Sequence, residues 1–412
     1  MQRHPNQQDQ VVGIILAGGR GTRLFPLTQT HCKPAVGFGG KFKLIDIPVS
    51  NALNAGITNL FVISQYFVPH LQDHLRSSYY FDIFRNSQIR ILSPTTQSSS
   101  RACFEGSGDA VRKNLEEILK TPCSYFIILC GDQVYNIDFQ SILKRAKETD
   151  ADLMIASISV EEKEARRMGV LKIDKTDHIL DFFEKPQDAK TLSSFAIPNK
   201  EKPSFLGSMG IYVFKREALV ALLQEKGDDF GLHLIPLQIK KGKTFAYIYE
   251  GYWVDIGTIR SFHKANLDLV SGALCLNMYD EKNPIYTRFQ KLPSPFIKNA
   301  HIANSLISEG SIIEASEIEN CVIGLRSVIQ EGTKIYSSIL MENPSYSLSH
   351  KFSIGKNCLI KDTIIDEQVC IGNNVQLVNK KKLQHFDGNG IYIRDGIIIV
   401  PAGTNLPDNF EL

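Results

Sequence analysis

The chain has 412 residues, longer than a single domain usually runs, so two domains with sizeable cores are expected. Its 46 Lys and Arg stand against 44 Asp and Glu, and a net charge of +2 removes any general electrostatic reason to expect nucleic acid or a membrane surface as partner. With 43% hydrophobic and 22% charged residues the composition is that of a soluble globular protein, and any basic site must be local.

The opening MQRHPNQQDQ is polar and no run reaches the apolar length of a bilayer span, so a cytoplasmic location is expected. From Val11 to about Leu274, short apolar runs alternate with helix-like segments. VVGIILAG, NLFVIS, QIRIL, YFIILCGD, DLMIASISV, SMGIYVF and TFAYIYE are strand candidates; DIPVSNALNAG, GDAVRKNLEEILK, DFQSILKRAKE and TIRSFHKANLDLV lie between them as helices. Continuous apolar strands with helices between them predict an α/β unit with a mostly parallel, doubly wound sheet. Ligands of such sheets sit at the carboxyl ends of the strands, which places AGGRGTR, the CGD ending at Asp132 and the residues after SMGIYVF along one crevice. Eight cysteines (Cys32, Cys103, Cys123, Cys130, Cys275, Cys321, Cys358 and Cys370) include no C-x-x-C pair and read as buried thiols, supporting neither a zinc site nor a disulfide framework.

After residue 275 the texture changes. NPIYTRFQKLPSPF has the turn residues of a linker, and beyond Ile297 apolar residues recur about every six: Ile302, Ile307, Ile312, Ile318, Ile323, Val328, Ile335 and Ile339, then Ile354, Leu359, Ile364, Val369 and Val375. That period predicts a hexapeptide parallel β-helix whose inward apolar residues stack between coils, with MENPSYSLSHK as a loop ejected from the prism. A run of ordinary antiparallel strands is the alternative that a sustained six-residue period disfavours.

The stretch AGGRGTRL after the first strand fits neither familiar phosphate loop. No Gly-Lys-Ser/Thr follows the glycines as a Walker loop requires, and Gly19-x-Gly21 lacks the third glycine of the dinucleotide pattern. What remains is either an ordinary glycine-rich turn or a loop whose small residues let a polyphosphate approach the backbone, with arginine forks beside it. Asp132, directly after a buried strand, is either a Mg²⁺ ligand or a capping aspartate. Asp255 in GYWVDIGT is likewise an N-cap or a second oxygen ligand of the same metal. Lys185 in DFFEKP is either a fixed phosphate contact or a solvated lysine, and Trp253 packs on a sugar face or fills core. The NKKK of residues 379–382 reads as a solvated turn.

Taken in order, AGGRGTRLFPLT, HCKPAVGFGGKFKLIDIPVSNALNAGI, GDAVRKN, CGD, FFEKP, SMGIYVF, DDFG and GYWVDIGT, followed by NPIYTRFQKLP and VIGLRSVIQEGTKI, closely resemble the glucose-1-phosphate adenylyltransferase (ADP-glucose pyrophosphorylase) family over nearly the whole chain. The wording of HKANLDLV after DIGT is closer to its cyanobacterial and plant branch. The resemblance implies a nucleotidyltransferase domain over residues 9–275, a linker over 276–296 and a left-handed β-helix domain over 297–412, and a homotetramer. It implies ATP + glucose 1-phosphate → ADP-glucose + pyrophosphate, feeding glycogen or starch synthesis. In the implied ATP site are Leu16, Ala17, Gly18, Gly19, Gly21, Thr22, Arg23, Lys33, Gln65, Gly106 and Asp109, with Arg23 and Lys33 on the β- and γ-phosphates and Gln65 and GSGDAV near the adenine. Asp132 and Asp255 would hold Mg²⁺. Glucose 1-phosphate would meet Gly169, Glu184, Lys185, Ser208, Tyr212, Asp229, Phe230 and Trp253, with Lys185 on its phosphate.

The chain departs from the family at Gln133, where histidine is usual, at Gly108, where alanine is usual, and in lacking the amino-terminal cysteine of some plant subunits. Thr30 stands where enterobacterial relatives carry an activator-binding lysine, leaving Arg394 as the one candidate for a phosphorylated effector near the end of the chain. The resemblance therefore implies weak activation. Competing expectations are a sister enzyme using another nucleotide, a non-catalytic regulatory subunit, and an acyltransferase, for which His301 is the lone histidine candidate and precedes the coils.

Overall fold

The computed structural model describes residues 10–79, 87–94, 103–198, 203–272, 276–314, 316–344 and 353–412. Its first part is built on β1 (Val11–Leu16), α1 (Asp46–Asn54), β2 (Asn59–Ile63), α2 (Val68–Ser78), β3 (Gln88–Leu92), α3 (Ser107–Leu119), β4 (Tyr125–Cys130) and β5 (Gln133–Tyr135). There follow α4 (Phe139–Glu148), β6 (Leu153–Glu161), β7 (Gly169–Ile173), β8 (Ile179–Glu184), β9 (Ser204–Lys215), β10 (Thr244–Tyr249), β11 (Trp253–Asp255) and α5 (Ile259–Asp268). The main sheet runs β8-β7-β9-β4-β1-β2-β3, with β6 on the other edge of β9 and β10 beyond it. The pairs β4–β1, β1–β2, β2–β3 and β6–β10 are parallel, whereas β9 is antiparallel to β4, β6 and β7. The α/β expectation holds, as a mixed sheet.

Both faces of the central strands are buried, which is why their apolar runs are unbroken. Val12, Ile14, Phe61, Ile63, Phe126 and Ile128 face a core shared with Val111, Leu115 and Ile118 of α3. The alternate residues Ile15, Leu60, Val62, Ile127 and Leu129 face Val49 and Ala52 of α1 and Ile142, Leu143 and Ala146 of α4. The hairpin β7–β8 is not among the strand candidates of the sequence; its short connection enforces the antiparallel pairing of Gly169 with Glu184.

Residues from Phe296 onward stack in parallel coils. Phe296 pairs with Ile312 and Ile312 with Val328 on one face; His301, which therefore lies within the coils and not before them, stacks with Glu317, Lys334, Leu359 and Gln376 on a second; Leu306, Val322, Ile339, Ile364 and Ile399 stack on the third. Where the sequence has paired apolar residues, the inward member is the second. Ile313, Ile329, Leu340, Ile360 and Ile365 fill the prism, while Ile312 is 37% exposed. Their partners Ile339 and Ile364 face outward against the α/β domain, so the six-residue series located the coils and named the inward residue at Ile318, Ile323, Ile335, Ile354, Val369 and Val375, but the outward one at Ile312, Ile339 and Ile364. The MENPSYSLSHK loop lies largely outside the described residues.

The two domains share one core, in which Val322, Ile339, Met341, Ile364, Ile397 and Ile399 of the β-helix meet Leu24, Leu27, Val36, Phe38, Leu44 and Phe262. The linker is tied to α1: the Tyr286 amide donates to Ser50 Oγ at 2.8 Å, and Thr287 Oγ1 to Asp46 Oδ2 at 2.7 Å. Among the described residues no helix is long and apolar enough to cross a membrane. The buried-thiol expectation fails at Cys103, which is exposed in the segment before α3, and is only partly met at Cys130 and Cys370; Cys275 lies outside the described residues.

A charged cluster seals the rim of that interface. His31 Nε2 lies 2.8 Å from Glu367 Oε1 and Lys43 Nζ 2.8 Å from Glu342 Oε1, with Asp366 beside both pairs. Loss of water contact, then the charge of Glu367, raises the Asp366 carboxyl from 3.8 to about 6, against the pull of His31 and Lys43. Between those values the folded chain holds a proton that the unfolded chain has released, so stability falls as pH rises through that window, by about 2 kcal/mol after allowing for partial exposure. Asp366→Asn keeps the acceptor for the Glu367 amide and removes the titration. Its melting midpoint should exceed that of the wild type by a few degrees at pH 7.5 and match it at pH 4. Equal shifts at both pH values would exclude the carboxyl as the cause.

Candidate functional site

The first wall is the loop leaving β1. Leu16 and Ala17 are locked by the sheet: Gly131 N donates to Leu16 O at 3.0 Å and Ala17 N to Ile63 O at 2.8 Å. Gly18 and Gly19 then open the chain, Gly19 with empty space where a side chain would begin. Gly21 is required where it stands, because its φ is +65° and a side chain would lie 3.0 Å from both Lys33 and Thr28. Thr22 and Arg23 follow in a single 3₁₀ turn, and both are exposed. Gln65 is spent on architecture: Nε2 donates to Gly18 O at 3.1 Å and Oε1 accepts from Phe104 N at 2.8 Å. It thus ties the loop to the segment leading into α3.

The floor is a carboxylate pair on a short two-stranded ribbon. β11 pairs antiparallel with β5, Asp255 opposite Gln133, and Ile256 N donates to Asp132 O at 3.2 Å. Lys33, nearly buried in a 3₁₀ turn, puts its Nζ 2.5 Å from Asp132 Oδ2 and 3.9 Å from Asp255 Oδ1. Both capping alternatives fall: α5 is capped by a Thr258–Ser261 box and α4 by Asp138. The Asp255 carboxyl is held above the usual aspartate value, by its enclosed position first and by the charge of Asp132 next, against Lys33, Arg23 and Arg167. Among the described residues no cluster of three metal-ligating side chains occurs. The donor set is two hard carboxylate oxygens converging on one cation, which suits Mg²⁺ because that ion keeps water and substrate phosphate in most of its positions.

The far wall comes from β8, β9 and the turn at 229–234. Opposite β6, β9 bulges between Ser208 and Tyr212, with Gly210 at φ +70°, and the two side chains come within hydrogen-bond reach of each other. Glu184 lies over two glycines; a side chain at Gly169 or Gly231 would lie 2.8 or 2.5 Å from its Oε2. Lys185 has φ +50°, sparsely populated for a lysine, and is held there by its N–H to Met168 O at 3.0 Å. Its Nζ pairs with Glu184 Oε1 at 2.9 Å, with 61% of the side chain exposed. Trp253 lies beside Asp255, its Nε1 donating to Gln133 Oε1 at 3.4 Å. Asp229 accepts from Leu232 N and Ser107 Oγ, both at 3.0 Å. Phe230 stands behind this wall, its ring buried against Tyr212 and Phe214.

At the start of α3, the amides of Gly108 and Asp109 donate to Asp228 O at 2.8 and 2.9 Å, and a side chain at Gly106 would collide with that same carbonyl. Alanine in place of Gly108 would meet Leu234 at 2.6 Å, which explains the glycine there. Asp109 accepts from Glu105 N at 3.0 Å and Lys113 Nζ at 2.8 Å, bracing its own helix. Burial and the neighbouring carboxylates of Asp132, Asp255 and Asp229 drive the Cys130 thiol upward; burial, Cys130, Glu184 and Asp229 drive the Tyr212 hydroxyl upward. Four carboxylates therefore share one crevice, and an anion entering it would be repelled unless the cations on its rim offset them.

One of those cations escaped the sequence reading. Arg167 stands beside Asp255, and the only signal for it was a second arginine in EARRMG, two residues before Gly169. Arg394 is not in the crevice. It sits on a β-helix hairpin, His385–Gly388 with Ile391–Arg394, where it pairs with Asp387, donates to Phe386 O and Ile393 O, and stacks 5.3 Å over Tyr392. The model of a family described as nucleotidyl transferase matches residues 12–272, and that of the GLGC left-handed parallel β-helix domain matches residues 290–410.

Proposed function

This chain belongs to the nucleotidyl transferase family, with the domain architecture of glucose-1-phosphate adenylyltransferase, and from that premise we propose that it converts ATP and α-D-glucose 1-phosphate to ADP-glucose and pyrophosphate. The observation that carries this reading is the convergence of Lys33, Asp132 and Asp255 between an open glycine-arginine loop and a wall bearing Glu184, Lys185, Ser208, Tyr212 and Asp229. A sugar phosphate is already ionised, so no general base is needed. One of its oxygens bonds to the α-phosphorus of ATP while the bond from that phosphorus to the bridging oxygen breaks, and the electron pair leaves on pyrophosphate. The work left to the protein is to align two polyanions and offset their repulsion.

Lys185 holds the sugar's phosphate at the far wall, with Glu184, Ser208, Tyr212 and Asp229 around the sugar and Trp253 at its edge. Arg23 and Lys33 hold the β- and γ-phosphates over the backbone of Gly18 to Thr22. Asp132 and Asp255 would hold Mg²⁺, which when bound supplies charge neutralisation at the phosphoryl oxygens. Before binding, Lys33 pairs with Asp132, so it is already aimed at the point where negative charge arrives. The purified chain alone, given each nucleoside triphosphate in turn with glucose 1-phosphate and Mg²⁺, should release pyrophosphate with ATP far faster than with the others. Faster release with UTP or dTTP would reassign it to a sister specificity, and none with any nucleotide would leave a non-catalytic subunit.

Control through Arg394 is proposed to be slight, since its guanidinium is already taken up within its own hairpin. Stimulation by 3-phosphoglycerate or fructose 1,6-bisphosphate should stay below about fivefold, the lower end of ordinary allosteric coupling, and Arg394→Ala should remove most of it. Rates against rising effector concentration check this; strong activation that survives the substitution would place the effector elsewhere.

A further inference from the structure

Arg167 follows the short helix Glu162–Ala165 and sits in a turn whose own N–H donates to Glu164 O at 2.8 Å. The next residue, Met168, offers the carbonyl that holds the Lys185 amide, so one turn presents both cations to the crevice. Its neighbour Arg166 is engaged, donating to Glu162 Oε1 at 2.7 Å and to Gln187 O. Arg167 differs: it is exposed, and among the described residues its guanidinium makes neither a hydrogen bond nor an ion pair. Arg23 is unengaged in the same sense.

The two guanidinium groups meet beside Asp255. A methyl group on Gly257 would lie 2.8 Å from Asp255 Oδ2, 3.1 Å from Arg167 Nη2 and 3.6 Å from Arg23 Nη1. The two nitrogens are therefore less than about 7 Å apart, a span one phosphate bridges when each fork takes a different oxygen. Like charges this close repel unless an anion lies between them, and of the carboxylates in the crevice Asp255 is the one beside both guanidinium groups.

We propose that Arg167 is a further diphosphate-binding residue of this site, closing from the β7 side on the phosphoryl groups that Arg23 and Lys33 take from the loop side, and remaining on pyrophosphate as it leaves. This rests on the nucleotidyl-transfer reading for its place in the reaction, but its ligand, an inorganic diphosphate, can be presented directly. A planar fork suits it better than an ammonium would, because the two oxygens of one phosphoryl group accept from both arms at once.

Calorimetric titration of the whole chain with inorganic pyrophosphate reads the proposal without turnover. Arg167→Ala and Arg167→Gln should each weaken binding by about 10- to 100-fold, the loss of a charged hydrogen-bonding pair, with Arg167→Lys between them and the wild type. Arg166→Ala should leave it unchanged. In turnover, Arg167→Ala should raise KM for ATP and, in the reverse direction, for pyrophosphate, while KM for glucose 1-phosphate stays within about twofold. Equal pyrophosphate affinity in Arg167→Ala and wild type would overturn the role, as would a fall in kcat with unchanged KM for pyrophosphate, the mark of a residue that only steadies Asp255. A wild type that binds pyrophosphate through Arg167 yet transfers no nucleotide would sink the functional reading and leave this one standing.

Discussion

Asp132→Asn should lower kcat for pyrophosphate release by about three orders of magnitude and leave the melting midpoint within a few degrees of the wild type. Asparagine keeps the shape and one acceptor oxygen but not the charge. Lys33 then loses the negative charge of its 2.5 Å partner and is left with that of Asp255 at 3.9 Å, so its buried ammonium is still compensated in part. Asp255 in turn loses the neighbouring negative charge that helps to hold its carboxyl high. These two changes oppose each other in stability, and the crevice is open enough that neither touches the core packing of β4. They do not oppose each other in catalysis, where one of two hard oxygen donors and half of the negative charge opposite the phosphates' counter-ion are gone. Single-turnover rates beside a thermal melt separate the two. A variant keeping more than about a tenth of the wild-type rate would remove Asp132 from the charge-handling role.

How far the sequence discloses such a site depends on whether a residue's neighbours are local. Gly18 to Arg23, Asp132 and Lys185 are marked by their immediate surroundings, a buried strand that ends and a turn that exposes the residues beyond it, and the structure puts each at such a place. The parallel core was legible for the same reason, since burial on both faces prints as VVGIIL or YFIILC. Arg167 had no such mark. Its meaning comes from Asp255, Arg23 and Gly257, residues far off in the chain, and a pair of arginines after a run of charges looks like a solvated turn. Gln65 and Phe230 show the converse, since each stood in the right segment but has its functional groups turned to the protein's own loop or core. In the β-helix the six-residue period fixed the coils, yet II and IL pairs present two apolar residues per side. At Ile339 and Ile364 the α/β domain covers the outward member as well, so both residues of those pairs are buried and apolarity alone does not tell them apart.

Lys185→Ala should raise KM for glucose 1-phosphate by about 30- to 100-fold and leave KM for ATP within about twofold. The side chain is 61% exposed and its pair with Glu184 is a rim contact, so its loss costs the fold little, less than about 1 kcal/mol. The backbone argues that the position is held for a ligand. A lysine at φ +50° sits in a region that ordinarily suits glycine or asparagine, and it is fastened on both sides: its N–H by Met168 O at 3.0 Å, its carbonyl by Gln187 Nε2 at 3.0 Å. That fastening directs the chain into Pro186, which admits no helix, and fixes the root of the side chain while its tip stays free to leave Glu184 for a phosphate. Because the lost contact is made to the bound sugar phosphate as well as in the transition state, the effect should fall mainly on KM, with kcat down by less than about tenfold. Lys185→Arg should recover part of the affinity, since charge is restored on a head of different shape and reach. Initial rates with each substrate varied at saturation of the other decide it. Equal rises in both KM values would mean that Lys185 shapes the crevice as a whole, and an unchanged KM for glucose 1-phosphate would take the sugar's phosphate away from this wall.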